Sequence, residues 1–143
     1  MIDKEWKQKY FNKCVKHLIK QGEPALCANK GCVYRTPGGQ ACAIGCFVSD
    51  DIAAELDLFN DSTFENPKIV DIVFSELDEE YSNNKQDFFL DLQRGHDGIS
   101  SYLLENLTYE EIILETFSKI AKKHNLSLPI ELAVLLETTK EKE

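Results

Sequence analysis

Arginine, methionine and tryptophan are nearly missing from this chain, and so is any long apolar run. No stretch approaches the ~20 apolar residues that a membrane-spanning helix needs. The N-terminal residues Met1-Ile-Asp-Lys-Glu-Trp-Lys7 are charged and no apolar stretch follows them, so no secretory signal is expected. The expectation is a soluble, cytoplasmic protein. Only two arginines occur, Arg35 and Arg94, and 16 basic residues stand against 25 acidic ones, a net charge of −9. This balance disfavours nucleic acid as a partner, because phosphate contacts need a basic face. The motifs G-x-x-x-x-G-K, G-x-G-x-x-G, H-E-x-x-H and G-x-S-x-G are all missing. Cysteine is present, but in an odd number, five. Without an export signal, reduced thiols are expected rather than a disulfide framework.

What is present suffices for a single domain. The chain has 143 residues, 43% hydrophobic and 10% aromatic, enough for a modest core. One globular domain is expected over 1–137, with a frayed tail over 138–143. Trp6, Tyr10, Phe11, Cys14, Val15 and Leu18 recur at helical spacing, which predicts a helix from about Asp3 to Gln21, ended by Gly22. Ser49 or Asp50 is placed to cap a short helix through Leu58. Asn66-Pro67 opens another helix, with Val70, Val73, Phe74, Leu77 and Tyr81 as its buried stripe. Ser82-Asn83-Asn84 reads as a break before a helix from Lys85 to about Gly98. The capping box Thr108-Tyr-Glu-Glu111 opens the next helix, and Asn125 is placed to stop it. Ser127-Leu-Pro129 starts a last helix through Leu136.

Gly31 to Cys46 is the most unusual segment. It holds three of the five cysteines, four of the seven glycines and one arginine. Val33–Arg35, the turn residues Thr36-Pro37-Gly38-Gly39-Gln40 and Ala41 onward predict a β-hairpin. The small residues Cys42 to Cys46 would admit close approach of another backbone. The expected fold is α+β and mostly helical, with four to five helices packed around this one hairpin.

Three constellations could carry chemistry. Cys27, Cys32, Cys42 and Cys46 have the spacing C-x4-C-x9-C-x3-C, and four thiolates can hold zinc. Neither pair shows the short C-x2-C spacing usual in structural sites, so buried thiols are the plainer reading and zinc the alternative to no cofactor. Cys42 follows a turn and could act as a nucleophile with His96, His17 or His124, and Asp97 follows His96. On a helix, sequence neighbours point in different directions, so Asp97 need not orient His96. Gln93, His96 and Asp97 end a helix and could face the hairpin as a polar pocket. Alternatively, His96 is a core histidine with a structural hydrogen bond. Arg35 could bind a carboxylate or phosphate in bidentate fashion, or pair internally with Asp97 or Asp50. Acidic side chains gather at Asp50, Asp51, Glu55, Asp57, Asp61 and Glu65, and again at Glu76, Asp78, Glu79 and Glu80. The plain reading is a solvated surface, and the sharper one a docking face for a basic protein.

Cys32-Val-Tyr-Arg35, Gly39-Gln-Ala-Cys42-Ala-Ile-Gly-Cys46, Asp50-Asp51 and Leu90-Asp-Leu-Gln93-x-x-His96-Asp97 follow in order. Over about residues 8–124 this pattern resembles a family of small uncharacterised proteins from phages, prophages and bacteria. The chain departs from it at Ser49, where a proline is common, and in the acidic loop after Asp57. The resemblance implies that Cys32, Tyr34, Arg35, Cys42, Gly45, Gln93, His96 and Asp97 act as a set. It also implies a non-enzymatic phage accessory protein in the host cytoplasm. Such a module would bind a host protein or sequester a small anionic ligand to counter host defence. Tyr34, Arg35, Gln93, His96 and Asp97 are then the ligand-binding candidates. The enzyme alternative is a hydrolase or transferase using Cys42 and His96 with Asp97, and the structural alternative is a zinc-stabilised protein.

Overall fold

In a computed structural model of the chain, residues 2–23, 25–27, 31–36, 38–59, 63–99 and 106–141 are described. Among them six α-helices carry the fold. They are α1 (Ile2–Gln21), α2 (Asp50–Asp57), α3 (Pro67–Glu76), α4 (Asn83–Asp97), α5 (Tyr109–His124) and α6 (Ile130–Glu141).

Their ends follow from local chemistry. Gly22 takes φ +79°, open to glycine at no steric cost, and its N–H closes on the Leu18 carbonyl at 3.1 Å. Ser49, Asn66, Ser82 and Thr108 each accept a backbone N–H with the side chain, satisfying donors that a first helical turn leaves open. Thr108 Oγ1 accepts the Glu111 N–H at 3.1 Å, one half of the expected capping box, and its hydroxyl donates to Glu111 Oε1 at 3.0 Å. Asn125 stops α5 in the left-handed region at φ 58°. Ser82 lies between the two helices as expected but is also the cap of α4, so that helix starts at Asn83 instead of Lys85. Helix α3 ends at Glu76, which leaves Tyr81 beyond it and exposed instead of in its buried stripe. The last helix continues to Glu141, past the expected end at Leu136 and through most of the expected tail.

The α+β assignment is corrected. The predicted hairpin over 33–41 does not form strands. The turn exists, since Thr36 N–H reaches the Gln40 carbonyl at 2.8 Å and Cys42 N–H the Tyr34 carbonyl at 3.3 Å, but among the described residues these close a single bridge, Arg35 with Ala41. Pro37 lies outside the described residues. Beyond Ala41 the chain turns at once into a single 3-10 turn, Gly45–Phe47, because Cys42 to Cys46 offer no alternation that could bury one face of a strand. Among the described residues the extended pairing is two residues long on each side, Leu26–Cys27 with Gly31–Cys32. It is a clip in a helical protein, not a sheet.

Helix α1 packs against α4, α5 and α6, and α2 packs on α3. Phe89 sits among Trp6, Tyr10, Phe47, Phe64 and Phe74, with ring centroids 5.0–5.8 Å away. Tilted and edge-on ring pairs at this spacing add to the apolar burial that holds the helices together. Glu79 accepts from Trp6 Nε1 at 2.9 Å and from the Tyr10 hydroxyl at 2.8 Å, so the rim of the cluster is also satisfied. No helix among the described residues is long and apolar enough to cross a membrane.

Candidate functional site

The segment 33–48 docks on the C-terminal end of α4, and Gly45 shows how closely. A Cβ on Gly45 would stand 2.1 Å from the Tyr34 carbonyl oxygen. The same carbonyl accepts the Cys42 N–H at 3.3 Å. Glycine is therefore required here for close backbone approach. Asp57, at the end of α2, accepts both the Tyr34 and Arg35 N–H groups, at 2.9 and 3.1 Å. Gln21 pairs with Ala41 on both sides, accepting its N–H at 2.7 Å and donating to its carbonyl at 3.1 Å. His17 Nε2 lies 3.1 Å from that carbonyl, and burial lowers the pKa of His17 although this hydrogen bond opposes the shift.

Helix α4 supplies the other half of the joint. His96 is fully buried, and its Nε2 accepts the Ala25 N–H at 2.9 Å. That bond assigns the proton to Nδ1, which donates to Asp97 Oδ1 at 3.0 Å. Gln93 Nε2 donates to the same Asp97 oxygen at 2.8 Å, while its Oε1 accepts the Ile44 N–H at 3.2 Å. Gln93, His96 and Asp97 thus stitch residues 25 and 44 to one helix end. Asp97 does orient His96, although the two are neighbours on a helix. Asp97 keeps its side chain 42% exposed, so the joint has a wet side.

The reactive candidates are placed differently. Cys42 is fully buried, and its sulfur accepts the Gly45 N–H at 3.2 Å. Burial pushes its thiol far above the ordinary range, and the nearby Asp97 carboxylate adds to the shift. Among the described residues no hydrogen bond joins Cys42 to a His96 nitrogen, and the lone pair of Nε2 is already taken by Ala25. A catalytic thiol needs the reverse: a lowered pKa and an imidazole free to accept its proton. Cys46 donates to the Ala43 carbonyl, and burial raises it to about 12 although Lys13 and Arg35 pull it down. Cys14, Cys42 and Cys46 are free thiols. The side chains of Cys27 and Cys32 lie outside the described residues, and among the described residues no three His, Cys, Asp or Glu side chains converge as metal ligands.

Arg35 turns away from α4. It donates to the carbonyls of Gly45 (2.9 Å) and Val48 (3.1 Å), which close the 3-10 turn, and it pairs with Asp50. Of its two expected partners, Asp50 is the one it meets. Its guanidinium therefore serves the fold of the 42–48 segment.

Three of the five ligand-binding candidates, Tyr34, Gln93 and Asp97, line a cleft of about 220 Å³ where the 33–34 segment faces α4. Arg35 and His96 do not. The cleft also takes walls that the sequence reading missed, chiefly Phe64, Glu65, Leu90 and Arg94. Leu90 and Asp97 share a helix face with Gln93 at i−3 and i+4, a spacing that could have found Leu90. Glu65 pairs with Arg94 at 3.0 Å, both side chains exposed, across the cleft mouth. Glu65 belongs to the acidic group read as a solvated surface or a docking face for a basic protein, but nothing in the sequence places it beside α4. Comparison with protein-family models, with curated proteins and with solved structures returns no match.

Proposed function

We propose that the chain is a non-enzymatic binding module, and that the cleft beside Tyr34, Gln93 and Asp97 receives one basic side chain of a protein partner. The observation that carries this reading is the size and charge of that cleft. At about 220 Å³ it falls below the roughly 300–1,000 Å³ usual for small-molecule sites, so it suits a single side chain. Glu65 and Asp97 bring two carboxylates to it against the one cation of Arg94. A surface with a net charge of −9 draws a basic partner toward it. An anionic ligand at Arg35 fits less well, because that guanidinium is engaged with Gly45, Val48 and Asp50.

The resemblance to small phage proteins supports a host protein as partner, and occupying such a protein is one means of countering host defence. Affinity capture from a bacterial lysate tests this, using the wild type and Glu65→Lys side by side. Each captured protein is then purified and titrated alone. The expected result is a protein with a basic segment that binds the wild type and is lost with Glu65→Lys. The reading fails if the two chains capture the same proteins with the same affinity, or if only a small molecule is retained.

A further inference from the structure

A second cleft, of about 380 Å³, opens between α4 and α5, away from the ligand-binding candidates Tyr34, Arg35, Gln93, His96 and Asp97. It falls within the volume range of small-molecule sites. Gly95, Leu107, Ile112 and Ile120 give it an apolar lining. Gly95 helps to bring the helices together: a Cβ there would stand 3.2 Å from atoms of Thr116, Phe117 and Ile120.

The rim runs against the charge of the whole protein. Arg94, Lys119 and Lys123 face Asp91 and Glu115, three cations to two anions on a chain of net charge −9. Arg94 and Lys119 are held by exposed ion pairs, to Glu65 at 3.0 Å and to Glu115 at 3.3 Å, while Lys123, itself exposed, pairs at 2.9 Å with the largely buried Asp91. The two exposed pairs contribute about 1 kcal/mol or less each. Asp91 also accepts from His124 Nε2 at 2.8 Å, so Lys123 can leave it without stranding a carboxylate. The cations are therefore free to turn toward an anion at little cost.

We propose that this cleft binds an anionic amphiphile, a single-chain carboxylate whose tail lies on Gly95, Ile112 and Ile120 and whose head is met by Lys119 and Lys123. The inference does not depend on the protein-docking reading: Lys119 and Lys123, which meet the head, line this cleft and not the other, and Glu65 reaches it only through its ion pair with Arg94. Calorimetric titration of the full chain with decanoate, and with decyltrimethylammonium as the opposite charge, tests it. Decanoate should bind and the cation should not. Binding should weaken about tenfold or more in Lys119→Glu/Lys123→Glu, by loss of charge complementarity. Thr116→Trp, which fills the cleft without touching its charge, should abolish it, and Glu65→Lys, which frees Arg94 from its partner, should not weaken it. The proposal is overturned if decanoate does not bind below its micellar concentration, if the ammonium compound binds equally well, or if either cleft variant binds as the wild type does while retaining its helical circular dichroism.

Discussion

Phe88, Phe89 and Leu92 look from α4 into the aromatic cluster, while Gln93, His96 and Asp97, on the last turns of the same helix, look into a polar joint. The first group is held by contact area, which is non-directional and can be supplied by several side chains of similar volume. The second is held by named partners: Ile44 N–H for Gln93, Ala25 N–H for His96, and a shared carboxylate oxygen between them. Removing one member of that set leaves a buried donor or acceptor without its mate, and the desolvation of the orphan is the larger loss. One helix therefore carries a tolerant stretch and an intolerant one.

The sharpest way to break the joint is Gly45→Ala. With a methyl group 2.1 Å from a backbone oxygen, the 42–46 turn must lift off Tyr34, at a cost of about 3 kcal/mol by the scale of overpacked cores. Urea denaturation should show the midpoint fall without a change in slope. Next comes a matched pair on α4. His96→Leu keeps the site apolar but strands the Ala25 N–H, and should cost about 2 kcal/mol. Leu92→Met conserves volume in the cluster and should cost less than ~1.5 kcal/mol. If Leu92→Met proves the more damaging of the two, the contrast between the stretches is wrong.

The smallest effect belongs to Asp91, on the side of α4 that faces α5. Burial works to raise its pKa, but hydrogen bonds from His124 and Lys123 outweigh it and hold the carboxyl below its ordinary 3.8. Because the folded pKa is the lower one, the unfolded chain takes up the proton first. The stability that Asp91 supplies is fully present above pH 3.8 and is lost as pH falls through the folded value. Asp91→Asn should therefore flatten the acid limb of a stability–pH curve and leave the joint variants' relative costs unchanged.

Much of the helical frame was legible because caps are local. Ser49, Asn66-Pro67, Thr108 with Glu111, and Asn125 act within one turn of themselves, and each appears where its chemistry indicates. Asn83 and Asn84 fall inside α4 because Ser-Asn-Asn serves equally to interrupt a helix and to begin one. The hairpin failed for a different reason. Turn chemistry at Gly38-Gly39 is local, but whether strands extend from a turn depends on what meets them. Here Gly45 meets the Tyr34 carbonyl and Gln93 meets Ile44, contacts that no period in the sequence encodes. His96 was readable as a core histidine, and its two partners were not. Glu65 joined the candidate cleft through tertiary packing alone.

Arg94 stands in the wall of both clefts. A guanidinium drawn toward an occupant on one side is withdrawn from the other. Occupancy of the two openings would then be linked through a single cation, and the factor by which the first occupant alters the affinity of the second must equal the factor in the opposite direction.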